Sequence, residues 1–324
     1  MLGAEFDALL QKNYEAGVFD CSVLVAKNNQ VILSKGYGFA DREKKIPNTD
    51  QTKFRLASLS KQFAAVAILL LQEQGKLNVQ DKLCDYITNC PEDFKPITLH
   101  HMLTHSAGLP AKTRWDQPGD QMLPKGASLY FTPGEKWWYT DVGYYLAGRV
   151  VETVSGQSYE AFLQQNIFKP LQMLNTGYDH QQSDLAKGYS TGQGLTALAS
   201  PGDYYAAGSI YSTVEDLYRY DQALFSRKLL PQPALSAMFS TQIPILDELP
   251  LPHPKGWGYG YGWFIGPEKP HLLYFHGGQY SGYRTAFWRY PEEKITIIQL
   301  CNQEKVMLVP TEEAIADKLL GIGN

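Results

Sequence analysis

Phe54-Arg55-Leu56-Ala57-Ser58-Leu59-Ser60-Lys61 opens the segment that decides the architecture of this chain. The residues that follow are apolar on almost every side of a helix: Phe63, Val66, Ile68, Leu69, Leu70 and Leu71. A helix that is hydrophobic all round belongs at the centre of a protein, not on its surface. The run is much shorter than the roughly 20 apolar residues that a membrane-spanning helix requires. Gly75 supplies a C-terminal stop. Ser58 is therefore expected at the head of a buried helix, with Lys61 three residues on and on the same face.

A serine hydroxyl is a poor nucleophile near neutral pH and needs a base within hydrogen-bond reach. Lys61 can supply one, and the helix N-terminus adds free N–H groups and a partial positive charge that favours an oxyanion and lowers the pKa of a nearby lysine or phenol. Ser-x-x-Lys alone is a weak signal, because a capping serine followed by a solvated lysine fits it equally. A lysine on a helix buried all round, however, needs a partner. Tyr139 follows the loop Pro133-Gly134-Glu135-Lys136-Trp137-Trp138 and precedes a helix; as an ionised phenol it could accept the serine proton and return it to the leaving group. His276-Gly277-Gly278 is expected to end a strand, its two glycines leaving the edge bare for a substrate. The N–H groups of Gln279 and Ser58 could then form an oxyanion hole.

Strand and helix patterns place these motifs. Residues 4–16 read as a helix, and Cys21–Lys27 and Val31–Ala40 as strands joined at Asn28-Asn29, a pair that tolerates the positive φ of a tight hairpin. Helices and long loops fill the middle: Thr98–Leu103, Asp141–Ser155 stopped by Gly156, a helix capped by Ser158 and ended by Pro170, and Thr213–Phe225. The Gly- and Pro-rich stretch 107–136 reads as a rim or lid, and it and the loop 240–256 are expected to decide between substrates. Strands return at Trp257–Ile265, Leu272–His276, Tyr283–Tyr290 and Lys294–Cys301, and Thr311–Leu320 closes the chain as a helix with acids in its first turn. Strands at both ends with helices between predict an α+β protein. Residues 1–62 and 246–324 would form one lobe on an antiparallel sheet, residues 63–245 a helical lobe, and the active site would lie between them.

Longer runs in the same order carry a family resemblance. Phe54 to Lys61 resembles the nucleophile segment of the serine β-lactamase and penicillin-binding protein superfamily, in its class C β-lactamase, D,D-carboxypeptidase and esterase branch. Ile97-Thr98-Leu99-His100-His101-Met102-Leu103-Thr104-His105-Ser106-Ala107-Gly108-Leu109-Pro110 is similar to its LLTHTSGL signature. Val142 to Gly148 resembles the helix after the catalytic tyrosine, and Ala206 to Thr213 a Gly-rich segment. The resemblance covers almost the whole chain and implies a β-lactamase/transpeptidase-like fold. It also implies Ser58 as acylated nucleophile, Lys61 and Tyr139 sharing the proton transfers, and no cofactor or metal. The substrate would be a small molecule or a peptidoglycan-like amide or ester: a β-lactam, a D-alanyl peptide or a small ester. A catalytically inactive binding protein on the same scaffold is the alternative.

Two departures matter. His276 stands where many members carry the lysine of Lys-Thr-Gly, and a histidine mostly neutral at pH 7 holds a carboxylate less well. Asp141 stands where the family usually has asparagine; a carboxylate beside Lys61 would keep the lysine protonated, leaving Tyr139 as main proton carrier. Asp141 could also favour substrates with a nearby amine.

Other features weigh less. Gly188-Tyr189-Ser190-Thr191-Gly192 fits Gly-x-Ser-x-Gly but lacks a hydrophobic strand before it. His101 and His105 are spaced i,i+4, yet Met102 stands where a zinc peptidase needs glutamate. Trp257, Tyr259, Tyr261 and Trp263 are expected to pack a half-buried strand. With a net charge of −4 and no long basic run, nucleic acid is an unlikely fit and anionic membrane no better. The start Met1-Leu2-Gly3-Ala4-Glu5 shows no secretory signal, while the resemblance implies a periplasmic or extracellular protein; a cytoplasmic one also fits. Cys21, Cys84, Cys90 and Cys301 are expected as free thiols, with a Cys84–Cys90 bridge as the alternative. Oligomeric state is not legible.

Overall fold

The computed structural model describes residues 2–17, 19–110, 128–180, 182–190, 204–246, 256–304, 306 and 308–322. The middle of the expected rim, residues 111–127, and most of the second loop, residues 247–255, lie outside them. The chain runs α1 (Leu2–Glu15), β1 (Cys21–Lys27), β2 (Gln30–Tyr37), β3 (Phe39–Asp41), β4 (Ile46–Pro47), β5 (Phe54–Arg55), α2 (Ser60–Glu73), α3 (Leu99–Leu103), α4 (Asp141–Ser155), α5 (Tyr159–Leu163), β6 (Gly177–Tyr178), β7 (Ile210–Ser212), α6 (Val214–Phe225) and α7 (Gln232–Met238). It ends with β8 (Ile243–Pro244), β9 (Gly258–Tyr259), β10 (Phe264–Glu268), β11 (His271–Tyr280), β12 (Tyr283–Tyr290), β13 (Ile295–Cys301) and α8 (Leu308–Leu320).

Eight strands form one antiparallel sheet in the order β2-β1-β13-β12-β11-β10-β9-β8, so the two ends of the chain meet where β1 pairs with β13. The β1–β2 hairpin turns at Asn28 and Asn29, with φ of 52° and 62°. The sheet is covered on both sides, which is why β1 and β13 read as nearly continuous apolar runs. Val23 and Val25 join Phe6, Ile297, Ile315 and Leu319 beneath α1 and α8. Leu24, Ala26, Ile298 and Leu300 face the larger core around α2, α4 and α6. Eleven residues of α2 are buried, from Ser60 to Leu69 and Leu71, so the helix is central as its composition requires.

Several sequence expectations are corrected. Val31–Ala40 is two strands, because Gly38 at φ +70° breaks the ladder and a Cβ there would lie 1.9 Å from Asp20 Oδ1. Trp257–Ile265 is likewise interrupted, with Gly262 at φ +80° between β9 and β10. His276-Gly277-Gly278 does not end a strand. It lies inside β11, which continues to Tyr280 because β12 pairs with it across the hairpin to the last residue, Tyr280 with Tyr283. Helix α8 starts three residues earlier than its apolar period suggests, so Glu312 and Glu313 fall past its first turn. The short α7 has no clear period, and nothing in the sequence announces it.

The cysteines are not free. Cys21 and Cys301 face each other across β1 and β13 with 4.0 Å between Cα atoms and form a disulfide, and Cys84 bridges Cys90. The first pair is 280 residues apart in sequence, so only the strand register reveals it.

Candidate active site

The segment that carries Ser58 is held from several sides. Strand β5 pairs with β7, and Arg55 forms an ion pair with Asp179 and donates to the Tyr283 hydroxyl at 2.8 Å. The chain then tightens into a 3-10 turn over Ala57–Leu59 that runs directly into α2. Ala57 takes φ +50°, a left-handed conformation that costs a non-glycine residue free energy and re-aims the next side chain. Leu56 N–H donates to Ile210 O at 2.8 Å, and Thr285 Oγ1 donates to Leu56 O at 2.9 Å. Gly278 permits this close approach: a Cβ there would lie 2.2 Å from Leu56 O and 2.3 Å from Thr285 Oγ1. The glycine of the His-Gly-Gly run thus clamps the serine turn against β11.

Ser58 opens on a cleft of about 900 Å³. Tyr139, Asp141, His276, Gly278 and Gln279 line the same cleft, so every site residue singled out from sequence except Lys61 is on its wall. Lys61 lies directly beneath, wholly buried, and its Nζ donates to Ser58 Oγ at 3.0 Å, Asp141 Oδ1 at 2.6 Å and Ala207 O at 3.0 Å. All three ammonium donors have acceptors. The Nζ is also 4.9 Å from the ring centre of Tyr139. Tyr139 and Asp141 flank Thr140, whose hydroxyl caps α4 by accepting from Val142 N–H at 3.2 Å. The cap fixes where both neighbours point.

Burial opposes the charge on Lys61, but the negative Asp141 and the phenol oxygen of Tyr139 outweigh it, and the lysine pKa ends above its ordinary value. Burial also raises the Tyr139 phenol; the Lys61 charge pulls it down, Asp141 pushes it back up, and the net shift is upward. The expectation of lowered lysine and phenol pKa values is therefore reversed: the resting site holds a charged lysine, an aspartate partner and a neutral phenol. The expectation that Asp141 keeps Lys61 protonated agrees with these directions.

His276 is buried, and its pKa is pushed down to about 3 by burial first and the Lys61 charge second. With the ring neutral, Nδ1 donates to Gly277 O at 2.7 Å and Nε2 accepts from the Tyr259 hydroxyl at 3.0 Å. Both nitrogens are engaged, so His276 brings no positive charge to the cleft. Trp257, Tyr259, Tyr261 and Trp263 are all core residues rather than cleft walls, and Tyr259 orients His276.

His101 and His105 hold local structure. His101 closes a capping box with Thr98 at the start of α3. His105 is buried, lies 4.3 Å ring to ring from Tyr139, and accepts from Thr140 N–H at 3.2 Å through Nδ1. Among the described residues no cluster of three or more His, Cys, Asp or Glu could hold a metal. Ser190 is preceded only by isolated bridges, Lys53 with Leu185 and Tyr189 with Gln303, and not by the strand of a nucleophile elbow; Thr191 and Gly192 lie outside the described residues.

Sequence reasoning missed the Ala207 carbonyl, which carries no side-chain signal although it lies in the Gly-rich segment, and Tyr204 on the cleft wall. It also missed the far end of the cleft, where Arg284, Trp288, Glu304 and Glu312 gather from β12, the segment after β13 and α8.

The whole chain matches known proteins. Residues 6–320 match the family model described as Beta-lactamase. Penicillin-binding protein 4* of Bacillus subtilis is 30% identical over 320 residues, which span 89% of this chain and 69% of that protein. Two further curated relatives are matched over 59% and 62% of their own length. Among solved structures, the octameric penicillin-binding protein homologue from Pyrococcus abyssi aligns with a TM-score of 0.84 at 28% identity, covering 98% of this chain and 77% of that one. D-amino acid amidase from Ochrobactrum anthropi SV3 aligns with a TM-score of 0.82 over 99% of this chain and 98% of that one, and at 21% identity this likeness concerns the fold alone. The fold is β-lactamase/transpeptidase-like. The chain belongs to the beta-lactamase family, within the superfamily of serine β-lactamases and transpeptidases.

Proposed function

We propose that this chain is a serine hydrolase that cleaves an amide or ester through an acyl-enzyme on Ser58. The observation that carries the reading is the contact of one buried ammonium, Lys61 Nζ, with both the Ser58 hydroxyl and Asp141 beneath an open cleft. A charged lysine cannot accept the serine proton, so the proton passes through Tyr139. Ser58 Oγ attacks the carbonyl carbon, its proton moves to the phenol oxygen, and the phenol's own proton moves to the departing nitrogen or oxygen. Lys61 stabilises the negative charge that develops on both oxygens in transit. Water then attacks the acyl-enzyme along the same relay in reverse, restoring the Ser58 hydroxyl. The amides of Ser58 and Gln279 receive the carbonyl oxygen as it becomes an oxyanion.

The neutral, doubly bonded His276 supports amides and esters lacking a carboxylate next to the reacting bond over β-lactams. D-amino acid amides and small esters therefore precede D-alanyl peptides and β-lactams in this reading, since the last two carry such a carboxylate. The site lies between two lobes, residues 1–62 with 246–324 and residues 63–245. The two disulfides support an oxidising compartment, periplasmic or extracellular. No helix among the described residues is long and apolar enough to cross a membrane.

Rapid mixing with p-nitrophenyl acetate tests the reading. A burst of nitrophenolate equal to the enzyme concentration, absent in Ser58→Ala, is expected; equal turnover by the two proteins contradicts it. A panel of nitrocefin, p-nitrophenyl esters and D-amino acid p-nitroanilides then ranks the substrates, with nitrocefin slowest.

A further inference from the structure

The cleft reaches well beyond Ser58. Gly277 of β11, Ala286 and Trp288 of β12, and the start of α8 all line it. Its far half is walled by apolar groups, among them Phe275, Ala286, Trp288 and Leu308. Glu312 lies on this wall, is fully buried, and has no hydrogen-bond partner for either carboxylate oxygen. It shares the inner stripe of α8 with Ile315 and Ala316, one turn on, and Leu319, two turns on. Burial, reinforced by Glu313, holds its pKa well above the usual carboxylate range. Gln299 stands opposite Ala286 on the same face of the sheet, also fully buried and with neither amide atom bonded.

Buried polar atoms in folded proteins nearly always have partners, because an unpartnered carboxyl is costly to bury. A helix position that faces a core would ordinarily hold an apolar residue. An acid here, on the wall of an apolar channel, is the arrangement that a ligand supplying N–H donors would complete. Among the described residues, the titratable side chains lining this half of the cleft are Glu304, Glu312 and Arg284.

We infer that the far half of the cleft is a subsite for a primary ammonium group on an apolar stem, with Glu312 as its acceptor. The stem lies along Phe275 and Trp288, and the reacting carbonyl of the same molecule reaches Ser58. The binding part of this inference stands by itself; its extension to substrates rests on the hydrolase proposed above.

The test uses the full chain carrying Ser58→Ala, which separates binding from turnover. 4-Phenylbutylamine and its neutral counterpart 4-phenylbutan-1-ol are titrated by calorimetry. The amine is expected to bind at least tenfold more tightly, and Glu312→Gln to abolish that preference. Equal affinity for the two compounds, no binding of either, or a preference that survives Glu312→Gln overturns the subsite. Thermal melting controls for folding: Glu312→Gln and Glu312→Leu are expected to melt at or above the parent temperature at pH 7, since each removes a buried unpartnered acid, and Glu312→Leu must lose the preference as well. On the Ser58 protein, p-nitrophenyl 6-aminohexanoate is expected to exceed p-nitrophenyl hexanoate in kcat/KM by tenfold, through KM, and Glu312→Gln to erase the difference. Amine binding without hydrolysis of either ester would retain the subsite and sink the hydrolase reading; hydrolysis of both esters at equal efficiency would do the reverse.

Discussion

At the residue scale the account rests on where protons sit. Asp141 is the reason Lys61 remains charged despite complete burial, since the two are 2.6 Å apart. Asp141→Asn removes that opposing charge and leaves burial in control, so the Lys61 pKa falls. Where the relay needs a charged lysine, the alkaline limb of kcat/KM against pH moves to lower pH in Asp141→Asn; an unchanged profile removes Asp141 from the mechanism. Tyr139→Phe keeps the ring against His105 but deletes the relay oxygen, and a loss of about 10²–10⁴-fold in kcat is expected. A Tyr139→Phe enzyme with near-parental turnover would assign the proton transfer elsewhere. Ser58 and Lys61 are legible in the sequence because residues three apart on a helix share a face, and a lysine on an all-apolar helix demands a partner. The protonation states are not legible, because the helix-end effect read from sequence is outweighed by burial, which only the packed structure reveals. Glu312 reads in sequence as an acid favouring a helix start; the register of α8 turns it inward instead.

At the element scale, two contacts put the serine turn where it is. Gly278→Ala would place a methyl 2.2 Å from Leu56 O, so either β11 or the turn over Ala57–Leu59 must move. Such overpacking costs about 1–3 kcal/mol, and here it displaces Ser58 as well. Gly278→Ala is therefore expected to lose most of its activity at temperatures where circular dichroism still reports a folded protein; retained activity would show that the clamp is dispensable. Gly156 offers the contrast. It ends α4 at φ +69°, and a Cβ added there would meet nothing within 4 Å, so Gly156→Ala costs only the left-handed strain, about 1–2 kcal/mol, and leaves kcat unchanged. Most elements are legible from period and caps: Thr98, Thr140, Ser158 and Thr213 all cap the helices they precede. Strand ends are not. Gly277 and Gly278 look like a turn in sequence, yet pairing with β12 carries the strand through them to Tyr280.

At the scale of the whole molecule, the sheet joins the two ends of the chain, and the Cys21–Cys301 bridge fastens them where the neighbouring strands β1 and β13 pair. In the chain-entropy model a loop closed over 280 residues restricts the unfolded state by roughly twice as much free energy as the six-residue separation of Cys84 and Cys90. The Cys21→Ala/Cys301→Ala protein should therefore lose about 2–5 kcal/mol in urea unfolding, and the Cys84→Ala/Cys90→Ala protein less; the reverse order would contradict the staple. The overall architecture is legible because strands cluster at both ends and helices between, but a pairing across the entire chain leaves no local trace. The cleft is where that long-range closure meets the helices, and the proposed chemistry converges on a single oxygen there, Ser58 Oγ. Intact-mass analysis after a fluorophosphonate probe tests this most directly. One covalent adduct per chain is expected, present in Ser190→Ala and absent in Ser58→Ala. An adduct that survives Ser58→Ala, or none on the parent protein, would contradict Ser58 as the nucleophile.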